Sequence, residues 1–377
     1  MKIEINRETL VKATQDVLKA ISSKTTMPVL TGIKIEASTD GLTLKGSDGD
    51  MSIVTFVPLE EDERHFVTVE RTGSVVIQAK LFADIIKKLP NKEVSLELND
   101  KYVTKVQSGS AEFSIIGFNP EEYPKFPVVE DEHSIKITNK ALKEAIQATI
   151  FATSDSGSRP VLTGVNWQLA EGLLCIATDS HRLSNKKVSV ETSATELNAV
   201  IPKKSLGEIS KLLDDSEDIV TILFTGNQVL FKLKNTLIYS RLLEGNYPDT
   251  SRLIPSEAST TVQLNKRELL NSIERASLLA IDTNNNHVIK FATKSNGAVQ
   301  ISSRSQELGH VEEEVQASSI EGEELTLSFS AKYMKEALKA LDGEEITVYF
   351  TGAMRPFVIK PIDDNASLQL ILPVRTY

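Results

Sequence analysis

The chain has 377 residues, a formal net charge of −10 and a hydrophobic fraction of 40%. This length is enough for two or three domains. The single cysteine, Cys175, excludes an internal disulfide framework and a cysteine-rich zinc site, and its apolar neighbours predict that it packs in a core. No stretch is long and apolar enough to span a membrane.

The predicted elements repeat three times along the chain, and each repeat contains two helices. Apolar residues at helical spacing predict the first helix, with Leu10, Leu142 and Leu269 at the same register. In the second helix, Lys80 and its counterparts Lys204 and Lys332 share a register. In chain order, the predicted helices are Ile5–Ser22, Ile77–Leu89, Ile137–Ser154, Ile201–Leu213, Leu264–Ile281 and Phe329–Leu341. A repeat of about 125 residues is a common domain size and is too long for a solenoid unit.

Between the helices, apolar and polar residues alternate, which predicts β-strands. Turns at Asp40-Gly41, Glu171-Gly172 and Asn296-Gly297 predict hairpins, since glycine readily adopts the positive φ that such turns need. Amphipathic helices over antiparallel sheets make each repeat an α+β unit. In the first repeat, the predicted strands are Val29–Ala37, Leu42–Lys45, Ser52–Val57, Val94–Leu98, Val103–Gln107 and Glu112–Phe118.

Proline-containing joints separate the repeats. The first joint is Tyr123-Pro124-Lys125-Phe126-Pro127, and the second runs from Tyr247-Pro248 to Ile254-Pro255. Proline suits a linker because it cannot donate to a strand ladder and stiffens the chain. We therefore expect three domains, at residues 1–127, 128–255 and 256–377.

Charge is distributed unevenly between the helices and the rest of the chain. The six predicted helices hold 17 Lys and Arg against 8 Asp and Glu, whereas the remaining residues hold 25 against 44. If the helices line one surface, that surface is positive on a negative body, which is typical of a surface that attracts nucleic acid. The alternative is that lysine is simply a good helix former on solvated faces.

The chain resembles the bacterial DNA polymerase III beta subunits, the DNA sliding clamps, and in particular their Gram-positive members. The resemblance covers the whole chain and rests on motifs in a fixed order. These motifs are Pro28-Val29-Leu30-Thr31-Gly32 and its copy Pro160-Val161-Leu162-Thr163-Gly164, then Ala177-Thr178-Asp179-Ser180-His181-Arg182-Leu183, Tyr247-Pro248-Asp249 and Leu370-Ile371-Leu372-Pro373-Val374-Arg375.

The resemblance implies three similar clamp domains per chain, each with two helices packed on antiparallel sheets, and a six-domain ring formed by a head-to-tail homodimer. It implies a processivity factor without catalytic activity, cofactor or metal, which encircles duplex DNA without reading its sequence. Implied partners are the replicative polymerase alpha subunit, the clamp loader, and other polymerases and repair proteins with a short glutamine-and-leucine-rich motif. The implied location is the cytoplasm, at the nucleoid during replication, with no membrane partner.

The resemblance also implies a pocket for the partner peptide, with apolar anchors and polar rim contacts from Arg182 and Arg375. The other two repeats carry different residues in place of the segment from Thr178 to Leu183, so the fold does not demand those residues. The implied pocket residues are Leu162, Thr178, Ser180, His181, Arg182, Leu183, Pro248, Arg252, Leu253, Met354, Pro356, Leu370, Leu372, Pro373, Val374 and Arg375.

Two further sets follow from the resemblance. The implied DNA-facing residues are Lys12, Lys24, Lys80, Lys204, Arg275 and Lys332. The implied dimer-interface residues are Phe113, Ile115, Leu278 and Leu279, for which burial in their own domain cores is the alternative.

Two rival functions stay open at this point. The first is a hydrolase that uses Asp179, Ser180 or His181. Adjacent residues of an extended strand point to opposite faces, which disfavours a triad, and the chain lacks a nucleophile-elbow glycine pattern. The second is a threefold-repeat scaffold that binds only proteins.

Overall fold

The computed structural model describes residues 1–126, 134–194, 196–280, 287–305 and 307–375. Ile281, the end of one predicted helix, and the predicted boundary after Pro127 lie outside the described residues. The other predicted helices are confirmed, with narrower bounds.

The first repeat alternates helices with short strands. It contains the 3-10 turns Pro28–Thr31 and Pro120–Glu122. Its helices and strands are β1 (Lys2–Asn6), α1 (Arg7–Leu18), β2 (Gly32–Ala37), β3 (Gly41–Ser47), β4 (Met51–Pro58), β5 (Glu60–Glu61), β6 (Arg64–His65), β7 (Val67–Arg71), β8 (Gly73–Gln78), α2 (Ala79–Lys88), β9 (Glu93–Leu98), β10 (Val103–Ser108) and β11 (Ala111–Ile116).

The middle repeat follows the same plan. It contains the 3-10 turns Ile150–Ala152, Pro160–Thr163 and Ser251–Leu253. Its helices and strands are β12 (Ser134–Thr138), α3 (Asn139–Thr149), β13 (Gly164–Ala170), β14 (Gly172–Thr178), β15 (Arg182–Val188), β16 (Glu191–Thr192), β17 (Asn198–Pro202), α4 (Lys203–Ser210), β18 (Ile219–Thr225), β19 (Gln228–Lys232) and β20 (Thr236–Arg241).

The third repeat differs mainly by one long strand, β24, which pairs with two neighbours. Its helices and strands are β21 (Thr260–Asn265), α5 (Lys266–Ser277), β22 (Val288–Thr293), β23 (Ala298–Ser305), β24 (Gly309–Gly322), β25 (Thr326–Ser330), α6 (Ala331–Ala340), β26 (Glu345–Phe350), β27 (Phe357–Pro361) and β28 (Ser367–Ile371).

The chain divides into two compact units. The first consists of Met1–Lys140, Glu191–Ala194 and Gly207–Leu242, and the second of Ala141–Val190, Thr195–Leu206 and Leu243–Tyr377. Both units include parts of the middle repeat. The three-domain boundaries therefore stay a prediction.

Strand pairing joins repeats within each unit. In the first unit, β20 of the middle repeat pairs with β4 of the first, inside a nine-stranded sheet of order β16-β12-β18-β19-β20-β4-β3-β2-β8. In the second unit, β28 of the third repeat pairs with β15 of the middle one, inside a twelve-stranded sheet of order β17-β13-β14-β15-β28-β27-β26-β21-β24-β23-β22-β25. The first unit also has a five-stranded sheet of order β11-β10-β9-β1-β7.

Helices cover the sheets through their apolar faces. In the first unit, α1 buries Leu10 and Val17, while α2, packed beside it, buries Phe82 and Ile86. In the second unit, α5 and α6 cover a core that contains four phenylalanine rings, with centroids 5.2 to 6.4 Å apart. Burial of these apolar faces is the main source of helix stability.

The Pro-Val-Leu-Thr segments correct one prediction. Val29 was expected to begin a strand, but Pro28–Thr31 and Pro160–Thr163 each form a 3-10 turn, and the strand begins at the following glycine. Proline is well placed at the first helical position because its φ is already fixed. The threonine hydroxyl closes each turn by donating to the proline carbonyl oxygen at 2.7 Å.

Equivalent asparagines cap the first helix of repeats one and three. The Asn6 side chain accepts from the Glu8 and Thr9 amides, and the Asn265 side chain accepts from the Arg267 and Glu268 amides, both at 3.1 Å. Such caps satisfy amides that have no partner inside the helix. They also explain why the helices begin later than the apolar pattern predicts, since Ile5 and Leu264 lie in the preceding strands.

We expect Asn265→Ala to lower the free energy of unfolding by about 1 kcal/mol, because it leaves two amides of α5 without their cap. Asn265→Ser is the matched control, since its hydroxyl can accept at the same position. Urea unfolding of the three proteins checks the expectation. Equal loss in both variants would show that the Glu345 contact of the Asn265 amide at 3.1 Å, and not the cap, is the source of stability.

Candidate functional site

The turn between β14 and β15 is held by two side chains that bond its backbone. The Thr178 hydroxyl donates to the Arg182 carbonyl oxygen at 2.6 Å and accepts from the Ser180 amide at 3.1 Å. The Asp179 carboxylate accepts from the His181 and Arg182 amides at 2.9 and 3.1 Å. Its backbone groups are thus satisfied locally, and the turn holds a fixed shape at the end of the sheet.

The first repeat builds the same turn with different residues. Ser47 and Asp48 make the corresponding bonds, with the Gly49 amide at 3.1 Å and the Met51 amide at 2.8 Å. The third position has a left-handed backbone in both repeats, with φ of +97° at Gly49 and +77° at Ser180. Glycine adopts this conformation without steric cost, whereas serine is strained in it. The middle repeat therefore carries backbone strain at the turn that the sequence marks as unique.

The turn does not form a hydrolytic triad. The Asp179 carboxylate is occupied by two backbone amides and by the Arg182 guanidinium. Within the described residues, no hydrogen bond joins the His181 ring to Ser180 or Asp179. A nucleophile and its base need such a bond, so the geometry gives the hydrolase alternative no support.

Arg182 is a buried cation and not a rim residue, which corrects the expectation for its side chain. It is 6% exposed. Its Nε donates to Asp179 at 2.9 Å, Nη1 to the Glu336 carboxylate of α6, and Nη2 to the Phe151 carbonyl oxygen at 2.5 Å. The guanidinium carbon also lies 4.4 Å from the Tyr333 ring centroid.

These contacts give Arg182 a positioning role. A buried charge is stable only when it is paired and its donors are satisfied, and Arg182 meets both conditions. It connects the turn of the middle repeat to α6 of the third. His181 adds a second connection, because its ring stacks on Tyr333 at 6.4 Å between centroids. Burial raises the pKa of Tyr333, and the nearby Asp179 charge raises it further.

An apolar cluster lies beside the turn, across adjacent strands. Leu183 faces Leu370, and Leu370 faces Val358, so these three side chains form one row over β15, β28 and β27. All three are buried, in a cluster with Ile176 and Leu368. The structure thus brings together the predicted pocket residues Leu183 and Leu370. Ile176, Val358 and Leu368 belong to the same cluster but were not predicted.

The segment after β20 covers this cluster. Tyr247 and Ile254 pack against it. The Tyr247 hydroxyl accepts from the Thr178 amide at 3.0 Å, and burial raises the pKa of Tyr247. In the sequence, Tyr247 belongs both to the second joint and to the Tyr247-Pro248-Asp249 motif. Its apolar ring next to a proline was the available signal for a second role.

Three predicted anchors of the pocket are exposed apolar side chains. Leu253 is 50%, Met354 57% and Leu372 36% exposed. The Leu372 amide donates to the His181 carbonyl oxygen at 2.9 Å, so the tail after β28 lies along the turn. Met354, Val374 and Arg375 line one cavity of about 480 Å³.

The remaining predicted pocket residues are placed less closely. Leu162 is buried at the end of its 3-10 turn, Pro248 and Arg252 are exposed, and Pro356 is half-buried. The hydrogen bonds and apolar packing described above do not include them. Pro373 lies in the tail between Leu372 and Val374, whose amides donate to the His181 and Ser328 carbonyl oxygens. The full predicted set therefore stays a proposal.

Comparison with known proteins identifies the family. Family models match all three repeats: the N-terminal domain of the DNA polymerase III beta subunit at residues 1–127, its central domain at 136–249 and its C-terminal domain at 251–375. The chain belongs to the DNA polymerase III beta subunit family.

Similar proteins support this assignment over the whole chain. The chain is 52% identical over 379 residues to the beta sliding clamp of Bacillus subtilis strain 168, with 100% of both covered. A crystal structure of the Bacillus subtilis DNA polymerase sliding clamp matches with a TM-score of 0.97 at 51% identity, and the Streptococcus pneumoniae DNA polymerase III beta chain with 0.94 at 37%. Both matches cover 100% of each chain.

The chain is therefore a DNA polymerase sliding clamp, made of three clamp domains with helices on antiparallel sheets. It acts with DNA polymerase III as a processivity subunit and has no catalytic activity of its own. No helix in the described ranges is long and apolar enough to cross a membrane.

The residues predicted to face DNA in the clamp are exposed. This holds for Lys12, Lys24 and Lys80 in the first unit, and for Lys204, Arg275 and Lys332 in the second. Arg275 differs because its guanidinium binds the Glu313 carboxylate, with Nε at 3.0 Å. This bond holds the pKa of Glu313 below its ordinary value, so the Arg275 charge is balanced in the free chain.

The predicted dimer-interface residues separate into two groups. Phe113 is 40% exposed on β11, an edge strand, and Leu278 is exposed after α5. Ile115 is only 5% exposed because it faces buried Thr104 on β10, which favours the core alternative for this residue. Leu279 is half-buried. Ile116, which is also exposed on β11, is not among the predicted interface residues.

We expect Gly49→Ser to lower the free energy of unfolding by about 1 kcal/mol, because serine is strained at a left-handed φ. No atom lies within 4 Å of an added Cβ, so the backbone alone is responsible. The reciprocal Ser180→Gly is expected to stabilise by about 0.5 kcal/mol, since greater freedom of glycine in the unfolded chain offsets part of the gain. Urea unfolding measures both. Unchanged stability in both variants would show that this turn stores no strain.

Proposed function

We propose that two copies of the chain close head-to-tail into a six-domain ring around duplex DNA. In this proposal the domains are residues 1–127, 128–255 and 256–377, and each chain holds partners through one peptide pocket. The observation that supports the ring best is the repeated strand pairing between successive repeats. A head-to-tail contact that repeats by rotation can form a closed ring.

Two of the three joints that a ring of this kind needs are made within the chain. They pair β4 with β20 and β15 with β28, antiparallel and in the same register, with Met51 opposite Ser240 and Arg182 opposite Ile371. The corresponding strands for a third joint are β24 and β11. Over Gly309–Gln316, β24 pairs on one side with β23, and β11 is the edge of its sheet.

The register of the two internal joints predicts the third. It sets Val311 opposite the partner's Phe113, in the place where Ile53 faces Ile238. Phe113 is exposed in the single chain, and an unpaired apolar edge strand is an aggregation hazard. Pairing with a second copy removes that hazard and accounts for the exposure.

The basic helices supply an attraction to DNA that does not depend on sequence. Lys12, Lys80, Lys204 and Lys332 are exposed on helices of all three repeats, with Lys24 in the loop after α1. Contacts between lysine and phosphate fix no base sequence. They are suited to a ring that moves along the duplex.

The peptide pocket supplies the attachment of partners. Leu253, Met354 and Leu372 offer exposed apolar side chains, and Leu372 lies beside the turn. Few convergent anchors of this kind dominate peptide binding. The occupants in this proposal are glutamine-and-leucine-rich motifs of the replicative polymerase alpha subunit, the clamp loader, and other polymerases and repair proteins.

The ring predicts a topological link to DNA. The chain is loaded onto a nicked circular duplex with a matched clamp loader and ATP, and half of the sample is then linearised by a restriction enzyme. We expect retention on the circle and loss from the cut molecule, since a ring slides off an end. Equal release from both, graded only by salt, would indicate ordinary electrostatic binding and would return the scaffold alternative.

The pocket predicts selective loss of peptide affinity in surface variants. We expect Leu253→Ser and Met354→Ser each to weaken a fluorescent glutamine-and-leucine-rich peptide about tenfold, because each removes an anchor worth about 1.4 kcal/mol or more. Fluorescence polarisation measures the affinity. Ile362→Ser, also an exposed apolar residue of the third repeat, is the matched control.

Unchanged affinity in both pocket variants would refute the assigned anchors. Arg182→Ala is a poorer probe of direct peptide contact. It breaks the bonds that hold the turn to α6, so a loss of affinity would not distinguish contact from positioning.

A further inference from the structure

A second kind of binding surface adjoins the apolar anchors. The cavity of about 480 Å³ beside the tail is lined by Lys290 and Arg375, by the hydroxyl residues Thr326 and Ser328, and by Met354 and Val374. Its lining contains two cations and no carboxylate. Within the described residues, neither Lys290 nor Arg375 forms an ion pair, although most surface charges of the third repeat are acidic.

The internal repeats allow the residues at this place to be compared at one register. In each repeat, a residue after the last strand donates its amide to the edge strand at the same register. Phe118 donates to the Val76 carbonyl oxygen at 2.8 Å, Leu243 to Val200 at 2.8 Å, and Val374 to Ser328 at 2.7 Å.

The residue that accepts this bond is valine in the first two repeats and serine in the third. Val76 and Val200 are buried, and Val76 lies in a cluster with Tyr123. At the third site serine replaces valine, and Lys290 and Arg375 lie around it.

Lys290 has a counterpart in the first repeat, where Lys34 pairs with Val76 as Lys290 pairs with Ser328. Arg375 has none, because Asn119 and Glu244 follow the bonded residue in the first two repeats. The third repeat therefore differs in combining a lysine with a serine and an arginine.

We propose that this cavity binds a carboxylate of the partner peptide, from an acidic residue that flanks the apolar anchors or from the peptide's C-terminus. The proposal rests on the peptide pocket proposed above and adds a charge preference to it. A lysine, an arginine and two hydroxyl residues that line one cavity offer the kinds of donor that a carboxylate accepts.

The apolar lining favours a peptide over a nucleic acid strand. Met354 belongs to both the cavity and the proposed anchors, and Val374 is two residues from Leu372. A chain that buries an apolar anchor on Met354 can therefore place a flanking carboxylate beside Lys290. A phosphate backbone has no group that would use the apolar side.

The experiment compares matched fluorescent peptides by polarisation against the full-length dimer. One glutamine-and-leucine-rich peptide carries glutamates on both flanks, a second carries glutamines there, and each is made with a free and an amidated C-terminus. We expect the wild type to prefer a carboxylate about tenfold over its amide, a factor that corresponds to a charge-assisted bond of about 1.4 kcal/mol. A preference for the glutamate flanks would assign the carboxylate to a side chain. A preference for the free C-terminus would assign it to the end of the peptide.

Variants assign the preference to the cavity. We expect Lys290→Gln and Arg375→Gln each to remove it. Lys290 lies outside the predicted peptide pocket, so Lys290→Gln should also leave the affinity of the glutamine peptide with an amidated C-terminus unchanged. Arg267→Gln, which removes an exposed cation from α5 in the same repeat, is the matched control and should retain it.

The outcomes separate this inference from the pocket itself. Equal affinity of acidic and amide peptides for the wild type, or a preference that survives in both cavity variants, would overturn the carboxylate site and leave the pocket standing. Failure of every peptide to bind would overturn both. A single-stranded oligonucleotide that loses affinity in Lys290→Gln, without any acidic-peptide preference, would replace the inference with a phosphate site.

Discussion

Antiparallel pairing between the last strand of one repeat and the fourth strand of the repeat before it is the constraint on which the other features depend. The pairs β4 with β20 and β15 with β28 each continue a sheet from one repeat into the next. Because a slip of one residue would turn every side chain to the opposite face, apolar pairs such as Leu183 with Leu370 and Ile53 with Ile238 hold the register. The same register brings the β14–β15 turn beside the tail after β28, so the candidate site is a consequence of the joint.

Arg182 shows what this placement demands of the sequence. Its counterpart in the first repeat is Met51, which is also buried but needs no charge partner. A guanidinium in that position requires Asp179, Glu336 and the Phe151 carbonyl oxygen together. Loss of one partner leaves a buried guanidinium donor without an acceptor, at a cost of about 1–3 kcal/mol. The network thus fixes how the turn and α6 lie within the second unit, and a polar network that is fully satisfied specifies one arrangement better than apolar packing alone.

Local sequence patterns predicted much of the fold, because residues close together along the chain determine where helices and turns form. The 3.6-residue period of Leu10 and Leu269 gave the helices, and positive φ at Gly41, Gly172 and Gly297 confirmed the three hairpin turns. The predicted start of the second strand at Val29 was wrong by a few residues. The strand begins at Gly32, because a proline and a threonine hydroxyl close a turn before it. Tertiary contacts decided the rest. Nothing in the sequence around Arg182 or Ile115 reveals that α6 or β10 buries them. Glu336 of α6 is 154 residues from Arg182 along the chain, and Thr104 of β10 is about ten from Ile115.

The charges on the helices favour weak attraction over tight DNA binding. Several of the basic groups counted from the sequence are already paired within the chain: Lys19 with Asp16 at 3.0 Å, Lys211 with Glu208 at 2.9 Å, Lys339 with Glu274 at 2.7 Å, and Arg275 with Glu313. Apart from the half-buried Lys19 pair, these pairs are at least partly exposed. Exposed pairs are worth about 0–1 kcal/mol, so a phosphate can compete for the cation at little cost and release it again. Each phosphate contact steepens the salt dependence of binding by about one unit. A surface with many exchangeable pairs lowers the net gain per phosphate, which keeps the barrier between successive positions on the duplex low. In a ring, the closed chain then supplies the retention that these contacts do not.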